Sequence, residues 1–550
     1  MKFKGSEIII ETLAEQGCDT VFGYPGGSVL EIYDELYKNS DRIHHVISAH
    51  EQGATHAADG YARVSGKPGV VIATSGPGAT NTVTGIANAY LDSSPMVVIT
   101  GNVAVGLLGR DSFQEVDIMG ITMPITKHNY IVRETAALAP TIREAFSIAL
   151  SDRQGPVLID VPKDVQIGSC EYTHQKAVKR GSYKTPDEES LNEAVKLMSE
   201  AERPYIYCGG GVVASGAGGD IVTFSKKIGA PIGCSIMGLT AVPYSYEYNL
   251  GVTGMHGKYA SSKAKSESDL IIAVGVRFSD RATGNKDEYV KGKKVIHIDI
   301  DPAEIGKNIP AFVGLVGNIA DTLKTLNGML KPKKHSEWLS HMKELKQDEI
   351  EDNGAFSPRL IINKVRDFTD DDTVIATDVG QHQMWVMQNY RFEKPRRLIT
   401  SGGLGTMGFG MGAAIGACFA NGRRRTVLFT GDGSFGMNLN ELATAVSNNL
   451  PLTVIVMNNN SLGMVRQWQT LFYERRYSST TLNRKTDFVK LAEAFGALGF
   501  SAHDEDSLHK ALYKSFNLGG VSLIDCHIDP DERVLPMIPP GGSINDIIVR

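Results

Sequence analysis

The feature that most constrains the fold of this chain is a short apolar run that ends in glycine and recurs along the whole sequence. Examples are VFGYPGGS, VVIATSGPGATN, VVITGN, YIYCGGGV, IIAVGVRFSD and LFTGDGS. A strand, a glycine turn and a helix in repetition are typical of parallel α/β layers, which bind ligands at the carboxyl ends of their strands. The sequence therefore predicts an α/β fold with doubly wound parallel sheets.

Two stretches interrupt this pattern and divide the chain. Residues 164–190 are polar and lack periodicity, which predicts a linker. Residues 331–357 are rich in charge and predict at most a solvated helix. Cutting there leaves three α/β domains, at about 1–163, 190–330 and 358–550.

Charge and cysteine usage exclude several classes of partner and compartment. A net charge of −6 gives no reason to expect nucleic acid or an anionic membrane as partner. The six cysteines contain no C-x-x-C pair, which argues against a disulfide frame or a zinc site and fits a reducing compartment. The first residues predict an acidic amphipathic helix rather than a signal peptide, and no apolar run is long enough to span a membrane. We therefore expect a cytoplasmic protein.

The third domain contains TVLFTGDGSFGMNLNELATAV, which begins with a predicted strand at 426–429 and continues as a predicted helix from Asn440 onward. Gly431, Gly433 and Gly436 match the dinucleotide fingerprint G-x-G-x-x-G. A dinucleotide site also needs an acid about 20 residues further on, at the end of the next strand. That strand, predicted at 451–457, is followed by three asparagines instead. The fingerprint is therefore incomplete for a nicotinamide site.

Asp432 and Asn459 follow two successive predicted strands of this domain. A carboxylate and an amide oxygen at neighbouring strand ends can hold a divalent cation that also binds a diphosphate. The glycines would then admit the diphosphate close to the backbone, at the positive end of a helix. The alternative is an ordinary tight turn between a strand and a helix.

In the first domain, Glu51 follows a predicted strand and opens an alanine-rich helix. A poorly solvated carboxyl group is suited to exchange a proton with a nitrogen base. An acid that only interacts with the helix dipole explains the position equally well. The neighbouring His50 and His56 are interpreted as packing or capping residues.

These features together resemble the thiamine-diphosphate enzymes, whose third domain binds the diphosphate through Mg²⁺. The resemblance implies that Asp432 and Asn459 are side-chain ligands of the metal and that Ser461 offers its backbone carbonyl. It also implies that Glu51 hydrogen-bonds the aminopyrimidine and promotes the tautomer that removes the thiazolium proton. In these enzymes the site lies between two chains, so we expect at least a homodimer.

Within that group the chain resembles the acetohydroxyacid synthase catalytic subunits over nearly its whole length. The stretches that carry the resemblance are VFGYPGGSVLEIYDEL (21–36), SFQEVDIMGIT (112–122), GVRFSDRATGN (275–285), TDVGQHQMW (377–385), GLGTMGFG (403–410), GMVRQWQTLFYERRYS (463–478) and VLPMIPPGG (534–542). The resemblance implies that pyruvate is decarboxylated and its two-carbon unit added to a second 2-keto acid. Addition to pyruvate gives 2-acetolactate, and addition to 2-ketobutyrate gives 2-aceto-2-hydroxybutyrate, both for branched-chain amino acid biosynthesis.

The same resemblance assigns roles to further residues. Those expected to line the thiamine diphosphate are Val379, Gln381, His382, Met407, Gly433 and Ser434. Gly27 and Gln114 are expected to face the reacting carbon, and Phe113 and Lys127 to line the access path. Arg281 and Trp468 are expected to choose the second substrate, since a cationic fork suits a carboxylate and an indole face favours the longer side chain.

The middle domain is expected to hold FAD, which carries no electrons in the net reaction. The positions assigned to it are Gly209, Gly210, Gly211, Ile236, His256, Arg277, Asp299 and Ile300. The sequence departs from the usual pattern of the family at Ser28, Ser279, Asn318 and 411–416.

Several alternatives stay open at this point. The nearest is a flavin-free catabolic acetolactate synthase, and another is a thiamine-diphosphate carboligase or decarboxylase with a different keto acid. From other classes, a NAD-linked dehydrogenase and a non-catalytic scaffold are disfavoured by the missing acid and by Glu51. The sequence leaves open a tetramer, a separate regulatory subunit and the preference between the two second substrates.

Overall fold

A computed structural model of the protein describes residues 1–178, 181, 183–347 and 356–549. The amino-terminal part contains a six-stranded parallel sheet and a two-stranded antiparallel sheet. Its strands are β1 (Lys2–Lys4), β2 (Thr20–Tyr24), β3 (His44–Ile47), β4 (Gly69–Ala73), β5 (Met96–Asn102), β6 (His128–Ile131), β7 (Pro156–Pro162) and β8 (Ser169–Glu171). Its helices are α1 (Gly5–Glu15), α2 (Leu30–Lys38), α3 (Glu51–Ser65), α4 (Pro77–Asn81), α5 (Val83–Asp92), α6 (Ile118–Thr122), α7 (Leu138–Leu150) and α8 (Lys163–Ile167).

The middle part contains a second six-stranded parallel sheet. Its strands are β9 (Pro204–Cys208), β10 (Ile232–Cys234), β11 (Asn249–Val252), β12 (Leu270–Val274), β13 (Lys294–Asp299) and β14 (Val313–Val316). Its helices are α9 (Glu188–Glu200), α10 (Gly210–Ser215), α11 (Gly218–Ile228), α12 (Tyr259–Glu267), α13 (Asp280–Thr283), α14 (Lys286–Val290) and α15 (Ile319–Met329). The helix α16 (Ser336–Gln347) follows.

The carboxyl-terminal part contains the third six-stranded parallel sheet. Its strands are β15 (Val374–Thr377), β16 (Leu398–Ile399), β17 (Thr426–Gly431), β18 (Leu452–Asn458), β19 (Leu498–Ala502) and β20 (Ser522–His527). Its helices are α17 (Pro358–Asp367), α18 (Gln381–Asn389), α19 (Phe409–Ala420), α20 (Asp432–Asn438), α21 (Glu441–Ser447), α22 (Gly463–Phe472), α23 (Phe488–Ala494) and α24 (Glu505–Leu518).

The strand orders are β3-β2-β4-β5-β7-β6, β11-β10-β9-β12-β13-β14 and β16-β15-β17-β18-β20-β19. The central strands are continuous apolar runs and are buried along their length, as in β4, β9 and β12. Such runs suit parallel strands that are covered by helices on both faces. The predicted fold of three doubly wound parallel sheets is confirmed.

Each sheet has a reversal of winding direction between two neighbouring inner strands, and ligands of such sheets bind beside that reversal. The reversal falls between β2 and β4, between β9 and β12, and between β15 and β17. The chain leaves these strands at 25–28 and 74–78, at 209–211 and 275–277, and at 378–380 and 432–434. The glycine-rich motifs of the sequence therefore lie at the three positions where the topology favours a ligand.

The two interrupting stretches carry more structure than predicted. The start of 164–190 forms α8 and β8, and β8 pairs antiparallel with β1 at the amino terminus. The predicted solvated helix is α16, but Trp338 and Met342 are buried and Trp338 Nε1 donates to Pro204 O at 3.0 Å. Residues 179, 180, 182 and 348–355 lie outside the described residues. The three domain borders stay a prediction.

The lengths and compositions of the described helices bear on whether they could cross a bilayer. None of them combines the length and the apolar character that a membrane-spanning helix needs.

Candidate active site

The loop segment 74–81 follows β4, includes the short helix α4 and borders Glu51. Glu51 opens α3 and is only 8% exposed. Asn81 Nδ2 donates to Glu51 Oε2 at 2.9 Å. A Cβ atom at Gly78 would lie 3.2 Å from Glu51 Oε1, so the second carboxylate oxygen borders the same loop. Asn81 was missed by sequence reasoning, although it ends the motif VVIATSGPGATN.

The same loop brings Gly27 and Gln114 to this position. A Cβ atom at Gly26 would lie 2.5 Å from Thr74 Cβ, whereas Gly27 has nothing within 4 Å of its Cβ position among the described residues. Gln114 has φ 57° and its carbonyl lies 2.9 Å from the Cβ position of Gly76. All three residues predicted to act beside the reacting carbon therefore border one loop. Phe113, the neighbour of Gln114, is 87% exposed.

Ser28 fastens this loop to the turn that carries Gly27. Its hydroxyl accepts a hydrogen bond from Ser75 N at 2.9 Å and lies 2.9 Å from Thr74 Oγ1. Its carbonyl accepts from Gln166 Nε2 at 2.8 Å. The departure from the family pattern at this position is thus accommodated by added hydrogen bonds.

Lys127 makes its contacts within the chain at the carboxyl end of α7. Its ammonium group donates to the carbonyls of Ile148 and Ser151 and to Ser151 Oγ, at the carboxyl end of α7. Burial lowers the pKa of Lys127 to about 8. The ammonium therefore caps a helix, and the assignment of Lys127 to the access path stays a prediction.

The start of α3 is held by a residue that sequence reasoning missed. The Glu441 carboxylate accepts hydrogen bonds from the backbone N–H groups of Ala49 and His50. A Cβ atom at Gly53 would lie 2.1 Å from Glu441 Oε1, so the two helices meet closely. His50 caps α3 through Gln52 N, and the buried His56 packs on an aromatic ring, as predicted for both histidines.

Asp432 lies at the reversal point of the third sheet and opens α20. Its Oδ1 atom is buried and has no hydrogen-bond partner among the described residues. Burial raises the pKa of Asp432 to about 6, against the effect of backbone N–H groups that include that of Asn459. The two predicted metal ligands are therefore neighbours.

The helix predicted from Asn440 onward is present as α21, but a further helix in this motif was not predicted. The sequence predicted a helix from Asn440 onward, but α20 already begins at Asp432 and α21 follows from Glu441. Glycine lowers helix propensity, and for that reason the sequence did not predict α20. Its early start places backbone N–H groups directly at the strand end, where an anion is favoured.

The other residues assigned to the diphosphate surround this turn. His382 Nε2 is buried and without a partner in the described part of the chain, and burial lowers the pKa of His382 to about 3. A Cβ atom at Gly431 would lie 3.1 Å from His382 Nδ1. Ser434 Oγ donates to Val379 O at 2.7 Å, and Met407 Cε lies 3.9 Å from the Cβ position of Gly433.

Asn459 is fixed by a network of amides. Its Oδ1 accepts from Ser461 N at 3.1 Å, and its Nδ2 donates to Gln381 Oε1 at 3.3 Å. Gln381 Nε2 donates to Gln467 Oε1 at 3.0 Å. Sequence reasoning assigned no role to Gln467, because its signal is only a polar residue on the buried face of α22.

Asp378 was also missed, although it lies in the quoted motif TDVGQHQMW. Its Oδ1 accepts from Val379 N at 3.1 Å and from Gly408 N at 2.8 Å. Its Oδ2 accepts from Thr430 Oγ1 at 3.2 Å. Asp378 therefore joins the ends of β15 and β17 to the segment that carries Met407.

A cavity of about 1620 Å³ lies against the middle and carboxyl-terminal sheets. This is larger than the roughly 300–1,000 Å³ of an ordinary small-molecule pocket. Of the residues assigned to FAD, those that line it are Gly210, Gly211, Ile236, His256, Arg277, Asp299 and Ile300. Asn318 lines it as well and caps α15 by accepting from Asp321 N. Gly209 is packed behind the cavity, where its Cβ would lie 1.9 Å from Gly275 O.

Charged and polar groups of this cavity are strongly desolvated. Burial raises the pKa of Asp299, at the end of β13, to about 6. Burial and the charge of Arg281 lower the pKa of His256 to about 4, and its Nδ1 has no partner among the described residues. Burial also lowers the pKa of the Arg277 guanidinium. Such groups suit a large ligand that supplies hydrogen-bond partners.

Arg281 and Trp468 line the same cavity and contact each other. The guanidinium carbon of Arg281 lies 5.4 Å from the centre of the Trp468 ring. Val379, from the diphosphate group of residues, also lines this cavity. Glu51, Gln114 and Asp432 are not among its described lining residues.

The described residues contain no cluster of three or more His, Cys, Asp or Glu side chains that could hold a metal ion. The metal site expected here has one carboxylate, one amide oxygen and one backbone carbonyl. Its fit to a hard cation therefore rests on the unpartnered Asp432 Oδ1 atom beside Asn459.

Comparison with known proteins adds family information to this geometry. Residues 3–121 match the thiamine pyrophosphate enzyme N-terminal TPP binding domain, residues 191–326 the central domain and residues 378–526 the C-terminal TPP binding domain. The chain is 40% identical to the acetolactate synthase large subunit of Haemophilus influenzae, over 100% of this chain and 98% of the relative. It is 42% identical to the acetolactate synthase isozyme 2 large subunit of Escherichia coli, over 99% of each chain. It is 43% identical to a probable acetolactate synthase large subunit of Methanocaldococcus jannaschii, over 99% of this chain and 95% of the relative.

Proposed function

This chain belongs to the thiamine pyrophosphate enzymes and, within them, to the acetolactate synthase large subunits, and from that premise we propose how its residues divide the reaction. Its activity is acetolactate synthesis of the biosynthetic type. The observation that carries the assignment of residues is the contact of Arg281 with Trp468 in the large cavity. It offers a second keto acid a cation for its carboxylate and an apolar face for its side chain.

The residues at the third sheet fit thiamine diphosphate and Mg²⁺. The unpartnered Asp432 Oδ1, Asn459 Oδ1 and the carbonyl of Ser461 would hold the metal. Gln381, His382, Gly433 and Ser434 would receive the diphosphate, with the buried His382 Nε2 as a donor. Val379 and Met407 would contact the body of the cofactor. When bound, thiamine diphosphate supplies the electron sink for loss of CO₂ from a 2-keto acid.

Glu51 would hold and move a proton at Oε1, because Asn81 already donates to Oε2. Gly27 leaves open space at its Cβ position, so a reacting group could approach its backbone from that side. Gln114 borders the same loop and would stabilise negative charge that develops there. Phe113 and Lys127 would line the access path.

The middle cavity supports FAD as a second cofactor. Its volume exceeds that of an ordinary pocket, and it contains buried polar atoms without partners in the described part of the chain, such as His256 Nδ1. Arg277 would pair with the diphosphate of the flavin, and Asp299 would accept from ribose hydroxyls. Gly210 and Gly211 open α10 at the reversal point of the sheet and would admit the phosphates close to the backbone.

We further propose that pyruvate is the first substrate and that pyruvate or 2-ketobutyrate is the second. Trp468 favours the longer side chain by apolar contact, at about 1 kcal/mol per methylene. The chain would act as a cytoplasmic homodimer or homotetramer, with each thiamine site shared by two copies, and with a separate regulatory small subunit. Apolar side chains are exposed beside the residues around Glu51 and beside those around Asp432; examples are Leu30, Phe113 and Met437. Their exposure supports the proposal that a second copy of the chain covers them.

An acetolactate assay from pyruvate, with thiamine diphosphate, Mg²⁺ and FAD omitted one at a time, tests the proposal. We expect activity only when thiamine diphosphate and Mg²⁺ are present, and purified protein with flavin absorbance. Full activity in protein without flavin would remove FAD from the proposal. No acetolactate under any condition would overturn the assignment of substrates.

A further inference from the structure

Gln467 lies on α22, one residue before Trp468, and is 3% exposed. Its side-chain oxygen accepts from Gln381 Nε2 at 3.0 Å and from Val534 N at 2.9 Å. Its Nε2 donates to Val534 O at 3.1 Å and contacts Met537 Sδ at 3.6 Å. The hydrogen-bonding capacity of this buried amide is therefore used almost completely.

The partners of Gln467 lead to two different parts of the site. Gln381 Oε1 accepts from Asn459 Nδ2, and Gln381 Nε2 donates to Glu532 O at 2.9 Å. A Cβ atom at Gly463, the first residue of α22, would lie 2.0 Å from Gln381 Oε1. The helix therefore rests on the residues assigned to the metal and the diphosphate, and on the segment 532–537.

The neighbouring Trp468 points elsewhere. Consecutive residues of an α-helix differ by about 100° in direction, since the helix has about 3.6 residues per turn. Gln467 faces the buried amides, and Trp468 lines the large cavity, contacts Arg281 and packs on Phe472 with ring centres 5.7 Å apart. Any rotation of α22 about its axis would break the Gln467 bonds and move the indole.

We propose that Gln467 is a positioning residue: its side-chain amide locks the rotation of α22 between Gln381 and Val534 and thereby holds the Trp468 indole against the second substrate. This rests on the proposed function, in which Trp468 selects that substrate. Gln467 itself acts only through its neighbour and does not line the cavity in the described structure.

The test compares Gln467→Met with Thr470→Val. Gln467→Met keeps the length of the side chain and leaves three polar groups of Gln381 and Val534 without their partner. Thr470→Val is the matched control on the same helix: it removes the bond from Thr470 Oγ1 to Arg466 O and its contact with the Tyr477 hydroxyl, and leaves the Gln467 bonds in place. Gln467→Glu keeps an acceptor for Val534 N and is the conservative variant.

The first measurement is acrylamide quenching of tryptophan fluorescence in protein without added cofactor. Trp338 and Trp385 are buried, so the quenchable signal comes mainly from Trp468. We expect Gln467→Met to raise the quenching constant, Gln467→Glu to raise it less, and Thr470→Val to match the unchanged protein.

The second measurement is the ratio of 2-aceto-2-hydroxybutyrate to 2-acetolactate formed from mixed pyruvate and 2-ketobutyrate. We expect Gln467→Met to lower this ratio by about fivefold, because the indole no longer discriminates by one methylene. The turnover of pyruvate alone should change less than the ratio, which a general loss of folding would not produce.

Unchanged quenching and an unchanged ratio in Gln467→Met would overturn the positioning role. If Gln467→Met does not fold, the quenching constant and the product ratio of Gln467→Glu decide whether the positioning role holds. If the unchanged protein makes no acetolactate, the proposed function fails, and the quenching experiment still decides whether Gln467 fixes Trp468.

Discussion

The guanidinium of Arg281 lies over the indole of Trp468, with 5.4 Å between the guanidinium carbon and the ring centre. Arg281 belongs to α13 beside the middle sheet, and Trp468 belongs to α22 beside the third. A cation–π contact of this kind holds both groups in a fixed relation. If Arg281 binds the carboxylate of the second keto acid as proposed, the side chain of that acid would lie along the indole, where one additional methylene would change the contact.

We expect Trp468→Leu to reduce the preference for 2-ketobutyrate over pyruvate by about 5–10-fold, since a flat apolar surface worth about one methylene is lost. The measurement is the product ratio in a mixture of the two acids. Trp338→Phe is the control, because Trp338 lies in α16 and is distant in sequence from Trp468. This variant should leave the product ratio unchanged. An unchanged ratio in Trp468→Leu would contradict the assignment of substrate choice to this residue.

Glu51→Gln should lower kcat by about 10²–10⁴-fold, the range that a positioned acid or base contributes. The amide keeps the shape of the side chain and a partner for Asn81, so thiamine diphosphate should still bind. Turnover and cofactor affinity are measured on the same preparation. Asn81→Ala should give a smaller loss, because it frees Glu51 Oε2 without removing the carboxylate. Ordinary turnover in Glu51→Gln would exclude the proton-transfer role.

The overall fold could be predicted from the sequence because successive motifs all indicated the same pattern of strand, glycine turn and helix. Apolar runs such as 70–73 and 271–274 are short, rich in β-branched residues and followed by glycine, which favours buried strands. The glycines after them lie at the reversal points of the sheets. The position of Glu51 after a strand and at a helix start was predictable for the same reason. Local pattern and topology determine these features together.

Contacts between distant segments were not predictable from pattern. Asn81, Asp378, Glu441 and Gln467 are polar residues whose partners lie on other elements, and nothing in their local sequence identifies those partners. The ammonium of Lys127 caps α7 because the fold brings the carbonyls of Ile148 and Ser151 to it. The helix start at Asp432 was missed because its glycines disfavour a helix in isolation.

Asp432→Ala should weaken Mg²⁺-dependent binding of thiamine diphosphate by more than about tenfold, since it removes the charged ligand of the proposed metal site. Calorimetric titration with thiamine diphosphate, in buffers with Mg²⁺ and with a chelator, measures the effect. In the unchanged protein the chelator should strongly weaken the binding of thiamine diphosphate. In Asp432→Ala the chelator should cause little further loss of affinity. Equal affinity of both proteins in Mg²⁺ would remove Asp432 from the metal site.

Asp160 gives the amino-terminal domain a predicted dependence of stability on pH. Burial raises the pKa of Asp160 to about 7, from 3.8 when exposed, although Thr100 and Asn102 donate to it. The folded protein thus binds more protons than the unfolded chain between about pH 4 and pH 7, so this residue lowers stability as pH rises through that range.

We expect the urea midpoint to fall between pH 5 and pH 8 in the unchanged protein, and to fall less in Asp160→Asn, which has no charge to bury. The comparison is made at equal salt, with unfolding followed by circular dichroism. Parallel pH profiles of the two proteins would show that Asp160 is already ionised in the folded protein at pH 5, so that its pKa is not raised by burial.

The proposed sharing of each thiamine site by two copies predicts complementation between inactive variants. Glu51→Gln and Asp432→Ala chains are each expected to be inactive alone. In a mixed two-fold dimer, one site receives both changes and the other receives neither. Random pairing makes about half of the dimers mixed, so co-refolded or co-expressed chains should recover about a quarter of the activity. If both residues act within one chain, every site has one change and no activity returns. Mixing two preparations of the same variant is the control, and the recovered acetolactate activity per chain decides between the two arrangements.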